Sequence, residues 1–267
     1  MLNIKCANPN GPVHITVQPG NVVLPLLDDG KGSDHAAGDG VYSGHLVADR
    51  VGSYTLTFPG GDTCLANVIP AYTYSVVPFK RRTIVGTNLN LCDDCTAAIA
   101  PPFVINLGGV SFSSVYVDSN GKVNFLFPEN DYLNVSLPNT AEAYSFLVAA
   151  FWDDLLPIQN TNQNVFWAVV GTAPQRELVI EWRHVSRASG CTDAAATVDF
   201  EVVFFEGSNN VLFNYAHTTF GRPPDCALGD HGAHATAGIQ VTYPSAAHYS
   251  YDQPNLTDNL SLQFTLA

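Results

Sequence analysis

Apolar and polar residues alternate along much of this chain with a period of two, the spacing of a strand that buries one face. Leu178, Ile180 and Trp182 point one way while Glu181 and Arg183 point the other. Val198, Phe200, Val202 and Phe204 line one face of the next run, and Asp199 and Glu201 mark its opposite face as partly wet. The last residues repeat the pattern: Leu260, Leu262, Phe264 and Leu266 alternate with Ser261, Gln263 and Thr265. The first 77 residues alternate in shorter pieces, at Val13–Val17, Val22–Leu26, Val41–Val47, Tyr54–Phe58 and Leu65–Ile69. Turn residues such as Pro19-Gly20, Asp39-Gly40 and Pro59-Gly60-Gly61 separate them. A helical period is nearly absent; residues 139–149 allow one short helix before the strand that holds Phe151 and Trp152. The pattern predicts an all-β protein: a small immunoglobulin-like sandwich over 1–77, then a larger jelly-roll-type β-sandwich over 104–267. Residues 78–103 read as a linker and disulfide loop, with the boundary at Val77-Pro-Phe-Lys-Arg-Arg82.

Composition narrows the partners. The 267 residues are 46% hydrophobic, enough for sizeable cores. Eleven Lys plus Arg stand against 24 Asp plus Glu, a formal charge of −13. Nucleic acid and anionic membrane both need a cationic face, so neither is expected as a partner. No apolar run approaches the roughly 18 residues of a membrane span, and Met1-Leu-Asn-Ile-Lys-Cys6 lacks the hydrophobic region of a signal peptide. For an exported protein, any leader is then expected to have been removed.

Six cysteines, each within or beside a loop-like stretch, suit disulfides in an oxidising compartment. Cys6 with Cys64 would staple the ends of the first segment, and Cys191 with Cys226 would join two long loops of the second. Cys92-Asp-Asp-Cys95 reads as a small disulfide loop, because a zinc ribbon needs a second such pair. The candidate metal centre is Asp28-Asp-Gly-Lys-Gly-Ser-Asp-His-Ala-Ala-Gly-Asp-Gly40. Asp28, Asp29, Asp34 and Asp39 would converge there on calcium, or else cap turns through their own backbone. Trp152, Asp153 and Asp154 suggest a sugar platform, against the plainer expectation that Trp152 is core and the acids accept backbone hydrogen bonds. Asp230, His231 and His234 lack the third ligand and the helix of a zinc pair. Asn134, Asn255 and Asn259 head glycan-acceptor triplets. No Gly-x-Ser-x-Gly, His-Glu-x-x-His or phosphate loop occurs, and no catalytic residue is assigned.

A resemblance adds to this. Asn120-Gly before a strand ending in Phe125, then Phe151-Trp-Asp-Asp, Leu178-Val-Ile-Glu-Trp, Thr197-Val-Asp-Phe-Glu-Val-Val-Phe-Phe-Glu-Gly, Val211-Leu-Phe-Asn-Tyr and Ala237-Gly-Ile follow one another in order. Over residues 104–266 the chain resembles the nidogen-type extracellular domain and its relatives in secreted bacterial proteins. It departs from that pattern at Ala149-Ala150, where a proline often precedes the Phe-Trp pair, and in the long Cys191–Gly232 excursion. The first segment resembles immunoglobulin-like modules of bacterial surface proteins and proteases through Asp28-Asp-Gly, Asp34 and Ala37-Gly-Asp-Gly-Val-Tyr-Ser43. The resemblance implies a secreted or cell-surface, non-enzymatic module of adhesion or matrix contacts, partnered by copies of itself, other surface proteins or glycans. Leu260, Leu262, Phe264 and Leu266 would then either close their own sandwich or be donated to a neighbour in a filament. The alternative is a carbohydrate-binding or accessory module of a larger secreted hydrolase.

Overall fold

The structure, a computed structural model, describes the backbone of residues 2–5 and all of 13–48, 52–68, 71–191, 193–221 and 224–267. The chain divides into two compact units, Met1–Ile69 and Pro70–Ala267.

In the first unit, strands β1 (Leu2–Lys5), β2 (Val13–Gln18), β3 (Val22–Leu26), β4 (Val41–Gly44), β5 (Gly52–Thr57) and β6 (Thr63–Val68) form two antiparallel sheets. One has the order β3-β2-β5-β6, and the other pairs β1 with β4. Val13, Ile15 and Val17 alternate with exposed or half-exposed neighbours on β2 and meet Leu26, Tyr54 and Leu56 in a small core. Burying each such side chain contributes about 1.5–3 kcal/mol. Cys64 is exposed on β6, and the expected bridge to Cys6 lies outside the described residues.

The second unit continues with β7 (Tyr72–Val76), β8 (Thr87–Asn88), β9 (Thr96–Ile99), β10 (Ile105–Leu107), β11 (Val110–Phe112), β12 (Val115–Asp118) and β13 (Lys122–Asn124). After a single 3₁₀ turn at Glu142–Tyr144 come β14 (Leu147–Trp152), β15 (Leu155–Leu156), β16 (Asn164–Val170), β17 (Glu177–Arg187), β18 (Val198–Phe205) and β19 (Val211–His217). A short helix, α1 (Pro224–Ala227), then precedes β20 (Thr236–Thr242), β21 (Ser245–Tyr251) and β22 (Leu260–Leu266). A six-stranded sheet runs β21-β20-β14-β13-β12-β9, and an eight-stranded one runs β7-β22-β19-β18-β17-β16-β8 with β15 also on β17. Alternate residues of the two sheets meet in one core. Val117, Val123, Val148 and Ile239 come from the smaller sheet; Ile180, Trp182, Phe200, Val202, Phe213 and Phe264 come from the larger. Trp182 stacks on Phe200 at 5.0 Å and 10°.

Three expectations change here. The boundary falls between residues 69 and 70 rather than at 77, because β7 pairs with β22 from Tyr72↔Leu266 to Val76↔Leu262 and so belongs to the second unit. Residues 78–103 do not form a linker: they supply β8 and β9 to the two sheets. Asp199 and Glu201 are buried, not partly wet, because residues 77–86 run as a strap across the outer face of the larger sheet. The strap begins where the Val77 amide donates to the Ser261 carbonyl, and Ile84 packs with Phe166, Val179, Val203 and Leu212. Strand β22 lies between β7 and β19, with Leu262 and Phe264 fully buried in this unit's own core, Leu260 nearly so and Leu266 half-exposed at its margin.

Candidate functional site

In the first unit, the loop between β3 and β4 brings Asp28, Asp34 and Asp39 together: each offers a carboxylate oxygen, and these oxygens lie within 4.8 Å of one another. Backbone amides fix each acid. Asp28 accepts Gly38 N–H at 2.6 Å and Asp39 N–H at 3.2 Å on Oδ1, and Gly40 N–H at 3.0 Å on Oδ2. Asp34 Oδ2 accepts Gly30 N–H at 2.6 Å, and Asp39 Oδ1 accepts Val41 N–H at 2.8 Å. The tight return at Gly30 has φ +67, and a Cβ there would come 2.9 Å from the Ala37 amide nitrogen, so glycine alone fits. Asp29 does not join the group. It is exposed, and its Oδ1 accepts only the local Lys31 N–H at 3.0 Å.

In the second unit, the strap brings cations onto a row of acids. Glu181 and Glu201 stand directly opposite on β17 and β18, a like-charge pair that would repel if left alone. Arg81 and Arg183 both pair with Glu181, Arg81 also reaches Asp199 at 3.4 Å, and Arg82 Nε pairs with Glu177 at 2.9 Å. The Arg82 amide donates to Glu201 Oε1 at 2.9 Å, and Asn214 Nδ2 donates to the same oxygen at 2.7 Å. His184 Nδ1 lies 2.9 Å from Asp199 Oδ2 at the mouth of a cleft of about 240 Å³ lined by Arg81, Thr83, Ile84, Glu181, Arg183 and His184. Burial pushes the Glu201 carboxyl up to about 7.

Behind the smaller sheet, the turn at Asn120-Gly121-Lys122 holds a buried cation. Lys122 is fully buried; its Nζ pairs with Asp118 at 2.8 Å, donates to the Asp131 carbonyl and lies 4.4 Å from the centroid of Trp152. Trp152 Nε1 donates to the same Asp131 carbonyl at 2.8 Å. Around them, Thr96 Oγ1, Asn120 Nδ2 and Asn124 Nδ2 donate to the backbone carbonyls of Glu129, Asn130 and Glu129 respectively. The loop 126–133 is therefore fastened through its backbone, while Leu126, Phe127, Tyr132 and Leu133 are 40%, 42%, 43% and 62% exposed.

Residues 70–264 match the family model described as NIDO related, more than half of the chain. The chain belongs to the NIDO-related family. Residues 5–60, ahead of the NIDO-related domain, match the model described as Conditioned medium factor 2nd Ig-like domain. No curated protein and no solved structure matched. Ig-like and NIDO-type domains are typically extracellular and non-catalytic, and the bonded pairs Cys92–Cys95 and Cys191–Cys226 suit that setting. The second bridge ties the β17–β18 loop to α1, across 35 residues of sequence. No helix among the described residues is long and apolar enough to cross a membrane.

The remaining candidates take structural places within the NIDO-related domain. Trp152 is fully buried, so no sugar platform forms on it. Asp153 accepts Arg187 Nε at 2.8 Å and Asp154 N–H at 2.8 Å; the Ser189 hydroxyl donates to Asp154. His231 Nδ1 lies 3.1 Å from both Thr218 Oγ1 and the Leu256 carbonyl, and neither it nor His234 joins a metal-ligating group among the described residues. Sequence reasoning missed Lys122 and the strap arginines. A charged residue next to Asn-Gly and three cations beside a proline both look like solvated turn residues; only the fold buries Lys122 and lays Arg81 and Arg82 on buried acids.

The acids of this domain set a pH dependence. Burial raises Asp118 to about 6 and Glu201 to about 7, so the folded chain holds these protons more tightly than the unfolded chain. Stability supplied by both groups therefore falls as pH rises from about 4 to about 7, by roughly 1.4 kcal/mol per pH unit for each at the steepest. Glu201→Gln should gain about 2–3 kcal/mol on wild type between pH 5 and pH 8. Urea melts at the two pH values measure this; parallel losses in both proteins would refute the assignment.

Proposed function

We propose that this chain is a structural or adhesive protein of a cell surface or secreted assembly, with no catalytic role, and that it binds another extracellular protein through the loop 126–133. The observation that carries this reading is the combination in that loop of a fastened backbone and exposed apolar side chains. Four large apolar side chains stand within eight residues, on a backbone held by Lys122, Trp152, Thr96, Asn120 and Asn124. A backbone already fastened loses little further conformational freedom on docking, and exposed apolar side chains close together in a loop are what protein contacts use. Glu129 and Asp131, both half-buried, fall between them in the sequence and accept amides of the loop itself. A strand donated from β22 is not needed for this contact, since β22 is paired on both edges.

The experiment compares wild type with a Phe127→Ser/Leu133→Ser variant. Sedimentation velocity reads self-association, and retention on immobilised collagen, fibronectin and a glycan array reads binding to other surfaces. The wild type should self-associate or be retained on a protein surface, and the variant should lose at least about tenfold in affinity with an unchanged melting temperature. Equal binding by both proteins would refute the loop as the contact. Retention on glycans alone, or turnover of a glycan or peptide substrate, would overturn the reading itself.

A further inference from the structure

The geometry points to a calcium site in the first unit, formed by Asp28, Asp34 and Asp39. Asp34 decides it. Its side chain is only 5% exposed, one oxygen accepts Gly30 N–H, and the other, Oδ1, is buried without a hydrogen-bond partner. Turn capping accounts for Asp28 and Asp39, whose oxygens accept amides of the loop; it leaves the second oxygen of Asp34 unexplained. A desolvated carboxylate oxygen with nothing to accept is costly. Two further carboxylates beside it add like-charge repulsion, and no Lys or Arg among the described residues pairs with any of the three. A bound cation removes both costs at once.

The dimensions and donors select the ion. Calcium binds oxygens at about 2.3–2.6 Å, so ligand oxygens around it lie up to about 5 Å apart. The three oxygens here fall within 4.8 Å. All are carboxylate oxygens, hard donors that suit calcium; zinc would call for imidazole or thiolate. The backbone amides do not exhaust them. A carboxylate has about four lone-pair directions, of which Asp28 uses three and Asp34 and Asp39 one each. The amides thus hold the acids in place ahead of the ion and leave room for it. The site would tie β3 to β4 in a unit whose core is small.

The test uses the full chain, stripped with chelator and titrated with calcium chloride by calorimetry, with melting curves in parallel. The expected result is one ion per chain, a Kd of about 10⁻⁴–10⁻³ M, the range of extracellular modules, and a transition raised by about 5 °C or more in 10 mM calcium. Asp34→Asn should abolish binding. Because that buried change also threatens the fold, Asp39→Asn is the second variant: it keeps an oxygen for Val41 N–H and should weaken binding at least tenfold. Asp29→Asn, outside the group, should bind as wild type does. No heat and no shift with the wild type would overturn the site, as would an equal shift in magnesium chloride or an equal loss in Asp29→Asn.

Discussion

Gly121→Ala is expected to unfold the NIDO-related domain. Gly121 has φ +83, and a Cβ at this position would lie 2.1 Å from the Phe151 carbonyl oxygen and 2.6 Å from its carbon. Both neighbours are backbone of β14, where the Ala150 amide donates to the Gly121 carbonyl at 3.0 Å. Relief therefore requires moving β13 away from β14, and β14 carries Val148, Ala150 and Phe151 into the main core. A left-handed conformation adds about 1 kcal/mol for any residue with a Cβ. The sum exceeds about 4 kcal/mol, a large part of the stability of an ordinary domain. Far-ultraviolet circular dichroism and a urea melt measure it. A loss below about 1 kcal/mol would mean that the turn has a roomier form than the one described.

Lys122→Met should cost about 3–5 kcal/mol at pH 8, the usual consequence of leaving one member of a buried ion pair alone. Methionine preserves the stem and its packing but removes the charge that faces Asp118, the Asp131 carbonyl and the Trp152 ring. Asp118 still accepts Lys122 N–H at 2.8 Å, so the turn keeps its backbone bond and the loss reports on the ammonium group. Desolvation already raises Asp118 to about 6 against the pull of Lys122. Without that pull the carboxyl rises further and takes a proton, so the penalty should shrink towards pH 5. Adding Asp118→Asn should recover most of the loss, because a neutral pair no longer strands a buried charge. Failure of the double variant to recover, or a loss that is the same at both pH values, would show that Lys122 acts through packing alone.

The all-β class, the order of the two sandwiches and the inward face of most strands were legible in the residues. A period of two admits one answer when one face is apolar: Leu178, Ile180 and Trp182, and Val198, Phe200, Val202 and Phe204, all lie in the main core. Turn glycines and prolines marked where strands end, and the cysteines of the second segment lay in loops that the fold brings together. The acidic loop of the first unit was visible as a group, since its aspartates fall close together in sequence.

What alternation leaves undetermined is the environment of the other face. Glu177, Glu181, Asp199 and Glu201 look solvated in any strand considered alone; they are screened and paired because a distant segment, 77–86, crosses the sheet and lays Arg81 and Arg82 on them. The same long-range packing puts β7 beside β22 and buries Lys122 under Trp152. Local sequence determined the strands, the turns and their inward faces, because sterics and side-chain period act within a few residues. The tertiary structure alone decided which charges lose their water and which partners meet them, because desolvation and ion pairing depend on residues a hundred positions away.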